Sequence, residues 1–149
     1  MERREIDEKY IVYCLAGYEK ILGDIRDRIK WLHTSIATTD DVLESIQFSK
    51  WHGDLDTVMK LYRRSEEQYS IFLKCYIQRL ICEEEKVKRI WYCYQRLPYL
   101  QLYVLDALYV KKKSWKVVEA ESNMSRSTIS RQRNQGIKNI TESYKNAID

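Results

Sequence analysis

Apolar residues recur at steps of four and three through most of this chain. Ile11, Leu15, Tyr18, Leu22, Ile25, Ile29, Leu32 and Ile36 keep that alternation for nearly four heptads, the spacing of a helix that packs along one seam. The pattern predicts a first long helix over residues 2 to about 36. Gly17 and Gly23 interrupt it at about 1 kcal/mol each in an exposed helix, so packing against a partner must hold the element together. A second seam runs through Leu55, Val58, Tyr62, Tyr69, Phe72 and Tyr76, then continues through Leu80, Val87, Ile90, Tyr94 and Leu97 after a four-residue step, as in a coiled-coil stutter. It predicts a helix from an N-cap at Asp54 to about Arg96, ~65 Å long if unbroken at ~1.5 Å per residue.

Between the seams, residues 37–53 lose the periodicity and carry turn formers at both ends, which marks a connector. Val42, Leu43, Ile46, Phe48 and Trp51 are too apolar for a free linker, so a short packed helical turn is expected, with a motif that folds on a partner as the alternative. The two long helices then pair either as an antiparallel hairpin or as a parallel homodimer, and periodicity does not choose. Leu97-Pro98 closes this region, because proline disfavours helix just before it and suits the first turn of a new one. The helix that follows, Tyr99 to Val110, is apolar on most sides and reads as the core of a small C-terminal domain over residues 97–149. Lys111 to Lys113 form the loop after it, and Thr141 to Asp149 read as a fraying end.

Within that domain lies a helix-turn-helix pattern. Ser114 caps a helix from about Trp115 to Glu121; Ser122, Asn123 and Met124 break it; Ser125 caps the next helix, over about 125–140. The second helix turns Ile129, Gly136, Ile137 and Ile140 inward, with Gln132 at the edge. Its other face offers Arg126, Ser127, Ser130, Arg131, Arg133 and Asn134, and guanidinium and amide groups match guanine and adenine edges in a major groove.

Composition supports helices throughout: four glycines and one proline leave the turns of a sandwich or barrel without punctuation. Charge is uneven. Lys and Arg balance Asp and Glu at 17 each over residues 1–96, whereas residues 97–149 carry 9 basic to 5 acidic, and Lys111 to Lys138 carry 8 to 2. That density would attract a phosphate backbone and make binding fall with salt. Cys14, Cys75, Cys82 and Cys93 lack metal-ligand spacing and lie far in sequence from His33 and His52, so they read as small buried thiols, with no metal and no cofactor. The absence of a long apolar run and the charged N-terminus predict no membrane association and a cytoplasmic protein. No phosphate loop or nucleophile with a partner base is present, and the acidic clusters Glu66-Glu67 and Glu83-Glu84-Glu85 read as solvated helix faces, so an enzyme is not expected.

From Leu97 to Ile140, the order leucine-proline, apolar helix, tyrosine-basic loop, helix, Ser-Asn-Met-Ser and recognition helix resembles region four of bacterial sigma factors. Joined to a long helical N-terminal part, it is similar to the phage late-transcription regulators typified by ArpU and RinA. The resemblance implies apolar pins at Val118, Met124, Ile129, Ile137 and Ile140 and a serine cap at Ser125. It implies promoter-reading side chains at Arg126, Ser127, Ser130 and Arg131, with Lys116, Thr128 and Arg133 near phosphates. Glu119, Ser122 and Asn123 stand where the family has a small residue, a leucine and a glycine. The expectation is a sequence-specific transcription regulator of double-stranded DNA: Lys111, Lys112, Lys113 and Lys116 make backbone contacts, Arg126 and Arg131 choose bases, Asn134 is among the DNA-binding residues, and the long helices dimerise or touch RNA polymerase. The rival is a sigma-like decoy that blocks polymerase or another nucleic-acid enzyme without reading DNA, which Glu119 and Ser122 favour; a helical packaging protein ranks third.

Overall fold

A computed structural model describes residues 6–45 and 55–146, all of whose regular structure is helical, as the periodicity predicts. Five helices follow one another: α1 (Glu8–Ser45), α2 (Leu55–Gln95), α3 (Tyr99–Leu105, prolonged by a π-helical turn over Asp106–Val110), α4 (Trp115–Ser122) and α5 (Arg126–Asn146). The chain divides into two compact units, one built from Met1–Leu22 with Glu85–Asp149 and the other from Gly23–Glu84. No described helix is long and apolar enough to cross a membrane.

The first helix differs from its expected form at three points. It starts at Glu8, where the Asp7 carboxylate accepts the Tyr10 N–H at 2.7 Å, rather than at residue 2. It is two helices joined at Gly17, whose φ of −133° and ψ of 26° lie outside helical geometry. It also runs on to Ser45, so the first half of the expected connector is helix; residues 46–53, with Phe48 and Trp51, lie outside the described residues.

In the unit of residues 23–84 the two long helices pair within one chain. Arg26 on α1 meets Glu84 on α2 at 3.9 Å, and Ile25, Leu32, Leu73, Ile77 and Leu80 are each at most 5% exposed. Because Arg26 meets Glu84 while Ser45 and Leu55 are near neighbours in sequence, the pairing is antiparallel. The buried stripe of α2 leaves the expected seam only in its first half, and Leu80, Val87, Ile90 and Tyr94 are buried as the spacing predicts. Tyr69 and Phe72 are 49% and 65% exposed, whereas Leu73, Ile77, Leu80, Val87 and Tyr94 are buried. With partly covered Glu66, Ser70, Glu84 and Trp91 added, the stripe is one unbroken heptad and needs no stutter. Its polar members Glu66, Ser70 and Glu84 mask it in the sequence, and the outer aromatic residues Tyr69 and Phe72 imitate a buried row in a neighbouring register. Both carboxylate oxygens of Glu66 are buried without a hydrogen-bond partner.

The other unit gathers the start of α1, the end of α2 and all of α3 to α5. Ile11, Cys14 and Leu15 from α1, and Val87, Ile90, Cys93 and Tyr94 from α2, are each at most 6% exposed. Tyr18 stacks on Trp91 with centroids 4.2 Å apart, and Lys86 lies over the Tyr10 ring. This body is larger than the segment after Pro98. Cys14 and Cys93 are buried as expected of all four thiols, but Cys75 and Cys82 are exposed. Helix α3 crosses α5 at Gly136, where an added Cβ would stand 2.9 Å from Leu105 Cδ1 and 3.4 Å from Gln101 Cβ. At the same crossing the Asn139 amide donates to Gln101 Oε1 at 2.7 Å, satisfying a buried glutamine.

A candidate nucleic-acid interface

The cap residues read from the sequence set this region. Ser114, extended at φ −70° and ψ 157°, accepts the Val117 N–H at 3.3 Å and starts α4. Asn123 ends it in the left-handed region at φ 57° and ψ 20°, with its N–H on the Glu119 carbonyl. Ser122 is still helical; its hydroxyl donates to the Val118 carbonyl at 2.6 Å and accepts the Met124 N–H at 3.2 Å, tightening the turn. Ser125 accepts the Thr128 N–H at 3.3 Å and starts α5, and its hydroxyl also meets those of Thr128 and Ser127 at 2.8 and 3.2 Å.

Beneath these helices lies a core of Val104, Ala107, Leu108, Val118 and Ile129, with Tyr103, Tyr109, Trp115 and Met124 packed against it. The five expected apolar pins are all covered, four of them buried and Met124 partly so. The sequence missed the π-helical end of α3. There Lys111 N–H donates to the Asp106 carbonyl at 2.8 Å and Lys113 N–H to the Ala107 carbonyl at 2.9 Å, and Lys112 takes a positive φ of 55°. Asp106 accepts from Tyr94 Oη at 3.0 Å and from Lys111 Nζ at 3.2 Å. Burial first, and then this carboxylate, push the Tyr94 phenol well above its usual pKa.

Around α5 the chain separates into two stripes. Ile129, Arg133, Gly136 and Ile140, at steps of four, three and four, face the interior; Ser127, Arg131, Asn134 and Lys138, at the same steps, are exposed. Among the expected contact residues, Lys112, Lys116, Arg126, Ser127, Arg131 and Asn134 are exposed, while Thr128 and Ser130 are half-buried. Ser125 is exposed with its oxygen engaged in the cap. Arg126 lies over the Trp115 ring, 5.4 Å from its centroid.

Three expected contacts are spoken for, Lys111 by its pairing with Asp106 and two others. Lys113 holds Glu121 at 2.6 Å, and that hydrogen bond raises its pKa. Arg133 does not stand on the open face: it follows Ile129 by four residues, and its side chain is 18% exposed. Its Nε donates to Tyr109 Oη, one terminal nitrogen to Glu8 Oε1 and the other to Asn134 Oδ1 at 2.8 Å. Burial works against the charge on Arg133, but the bonds to Tyr109 and Glu8 outweigh it and its pKa rises.

Compared with known proteins, the chain matches no family model, no curated protein and no solved structure. What α4 and α5 can do is set by their exposed groups. Lys138 was missed by the sequence reading and completes the outer stripe; its seven-residue spacing from Arg131 was the available signal. No local signal points to Glu8, which is 125 residues from Arg133. The same unit holds an open cleft of ≈ 530 Å³ lined by Trp91, Tyr94, Gln95, Tyr99, Leu102, Tyr103 and Asp106, none of them on α4 or α5. Among the described residues, no three His, Cys, Asp or Glu side chains gather as a metal ion would require.

Proposed function

We propose that this chain is a sequence-specific DNA-binding transcription regulator of phage or mobile-element type, acting in the cytoplasm, whose α5 enters the major groove of duplex DNA. The observation that carries the reading is the outer stripe of α5: two cations, a hydroxyl and an amide on one exposed face, backed by a packed inner stripe. A groove about 12 Å wide admits such a helix, and Arg131 reaches a guanine edge from it while Arg126 stands at the entering end. Lys112 and Lys116 are exposed around the start of α4 and reach phosphates, fixing the register. The long helices serve dimerisation or contact with RNA polymerase. The likeness to sigma region four supports the same reading through the order of its elements.

In vitro selection of duplexes bound by the full chain tests it, with affinity then followed against salt. A recurring site is expected, together with a steep loss of affinity between about 50 and 200 mM salt. A palindrome with half-sites about 34 Å apart would indicate a two-fold dimer, and an asymmetric site a sigma-like use. The ties of Lys113 to Glu121 and of Arg133 to Glu8 lower the free positive charge and favour the rival reading, a decoy that binds polymerase without reading DNA. Recovery of no preferred duplex, with retention of the chain on polymerase, would establish the decoy instead.

A further inference from the structure

Resting on the DNA-binding reading, we infer that Arg133 is a positioning residue that sets Asn134 as a donor-only reader of a guanine edge. A guanidinium can only donate, so the Asn134 atom 2.8 Å from it is the amide oxygen. Engaged by Arg133, that oxygen has given up one of its two acceptor positions, and the exposed side chain keeps its Nδ2 hydrogens to donate. An asparagine that reads adenine must bring both its oxygen and its nitrogen to one base edge. With its oxygen already committed to Arg133 the paired adenine contact is disfavoured, whereas guanine offers two neighbouring acceptors, O6 and N7, that suit a pair of N–H donors.

Arg133 can fix the amide because its own orientation is overdetermined. Tyr109 on the π-helical turn takes Nε, Glu8 at the start of α1 takes one terminal nitrogen, and Asn134 takes the other. The guanidinium also lies over the Tyr109 ring, 5.6 Å from its centroid. Two elements distant in sequence thus converge on one side chain of α5, and its remaining bond orients the neighbour that faces outward. The segment around Glu8 thereby acts on sequence choice without touching DNA.

The test is duplex selection with the full chain and with Asn134→Asp, alongside thermal melts of both. Aspartate keeps an oxygen for Arg133, so the melting midpoint should hold, while the outward donors become an acceptor. The expected result is that one position changes, that it is a G·C pair in the wild-type site, and that Asn134→Asp binds this site roughly 10-fold more weakly. Glu8→Ala should relax preference at the same position while leaving the others. An A·T pair at the changed position, or no changed position, would overturn the inference. Should the wild-type chain select no duplex at all, the DNA-binding reading itself fails and takes this one with it.

Discussion

Arg131 and Lys112 make the sharpest contrast between two exposed cations. Arg131 sits mid-stripe on α5, so Arg131→Ala should cost about 1 to 3 kcal/mol on the selected site and little on random duplex. Lys112 precedes α4, so Lys112→Ala should weaken all duplexes alike; titrations on both kinds of DNA check the pair, and equal losses for Arg131→Ala would refute base reading. Tyr94 offers a test of pH dependence. Its raised pKa means that the folded chain holds the phenolic proton more tightly than the unfolded chain does. The associated stability is fully present below about pH 10 and is lost as pH climbs through the folded value. Melting midpoints should therefore fall above about pH 10, and Tyr94→Phe should flatten that fall. Neither the tie to Asp106 nor the covered state of Arg133 follows from residue type: an arginine among serines and asparagines looks like a contact residue until its partners are known.

At the scale of elements, the crossing of α3 and α5 depends on the missing side chain at Gly136. Gly136→Val forces Leu105, which is fully buried, out of its site, and should cost about 1 to 3 kcal/mol in urea denaturation. Asn139→Ala should cost a similar amount, about 1 to 3 kcal/mol, since it leaves the buried Gln101 oxygen without its donor. The starts of α4 and α5 were legible because a serine cap acts over three residues and needs no distant partner. The buried face of α5 was legible for a similar reason, since Ile129, Ile137 and Ile140 are strongly apolar. The first half of the α2 stripe was not. Tyr69 and Phe72 are large aromatic residues at helical spacing, and only the partner helix decides which row is buried.

For the whole molecule, residues 97–149 share their compact unit with the start of α1 and the end of α2, although Pro98 marks a real break between helices. Tyr144 near the end of α5 is 9% exposed and lies under Arg89 of α2, while Glu8 of α1 holds Arg133. A fragment of residues 97–149 should therefore melt without the cooperativity of the full chain in circular dichroism; a melt matching the full chain would disprove this dependence. From sequence alone came the all-helical state, the caps at Ser114 and Ser125 and the inward face of α5, because periodicity and capping act between residues within a turn or two. Tertiary structure alone decided the register of the first half of α2, the break at Gly17, the company of Arg133 and the joining of the first 22 residues to the C-terminal helices. Those features depend on which surfaces meet, and the contacts that select them join residues up to 125 positions apart.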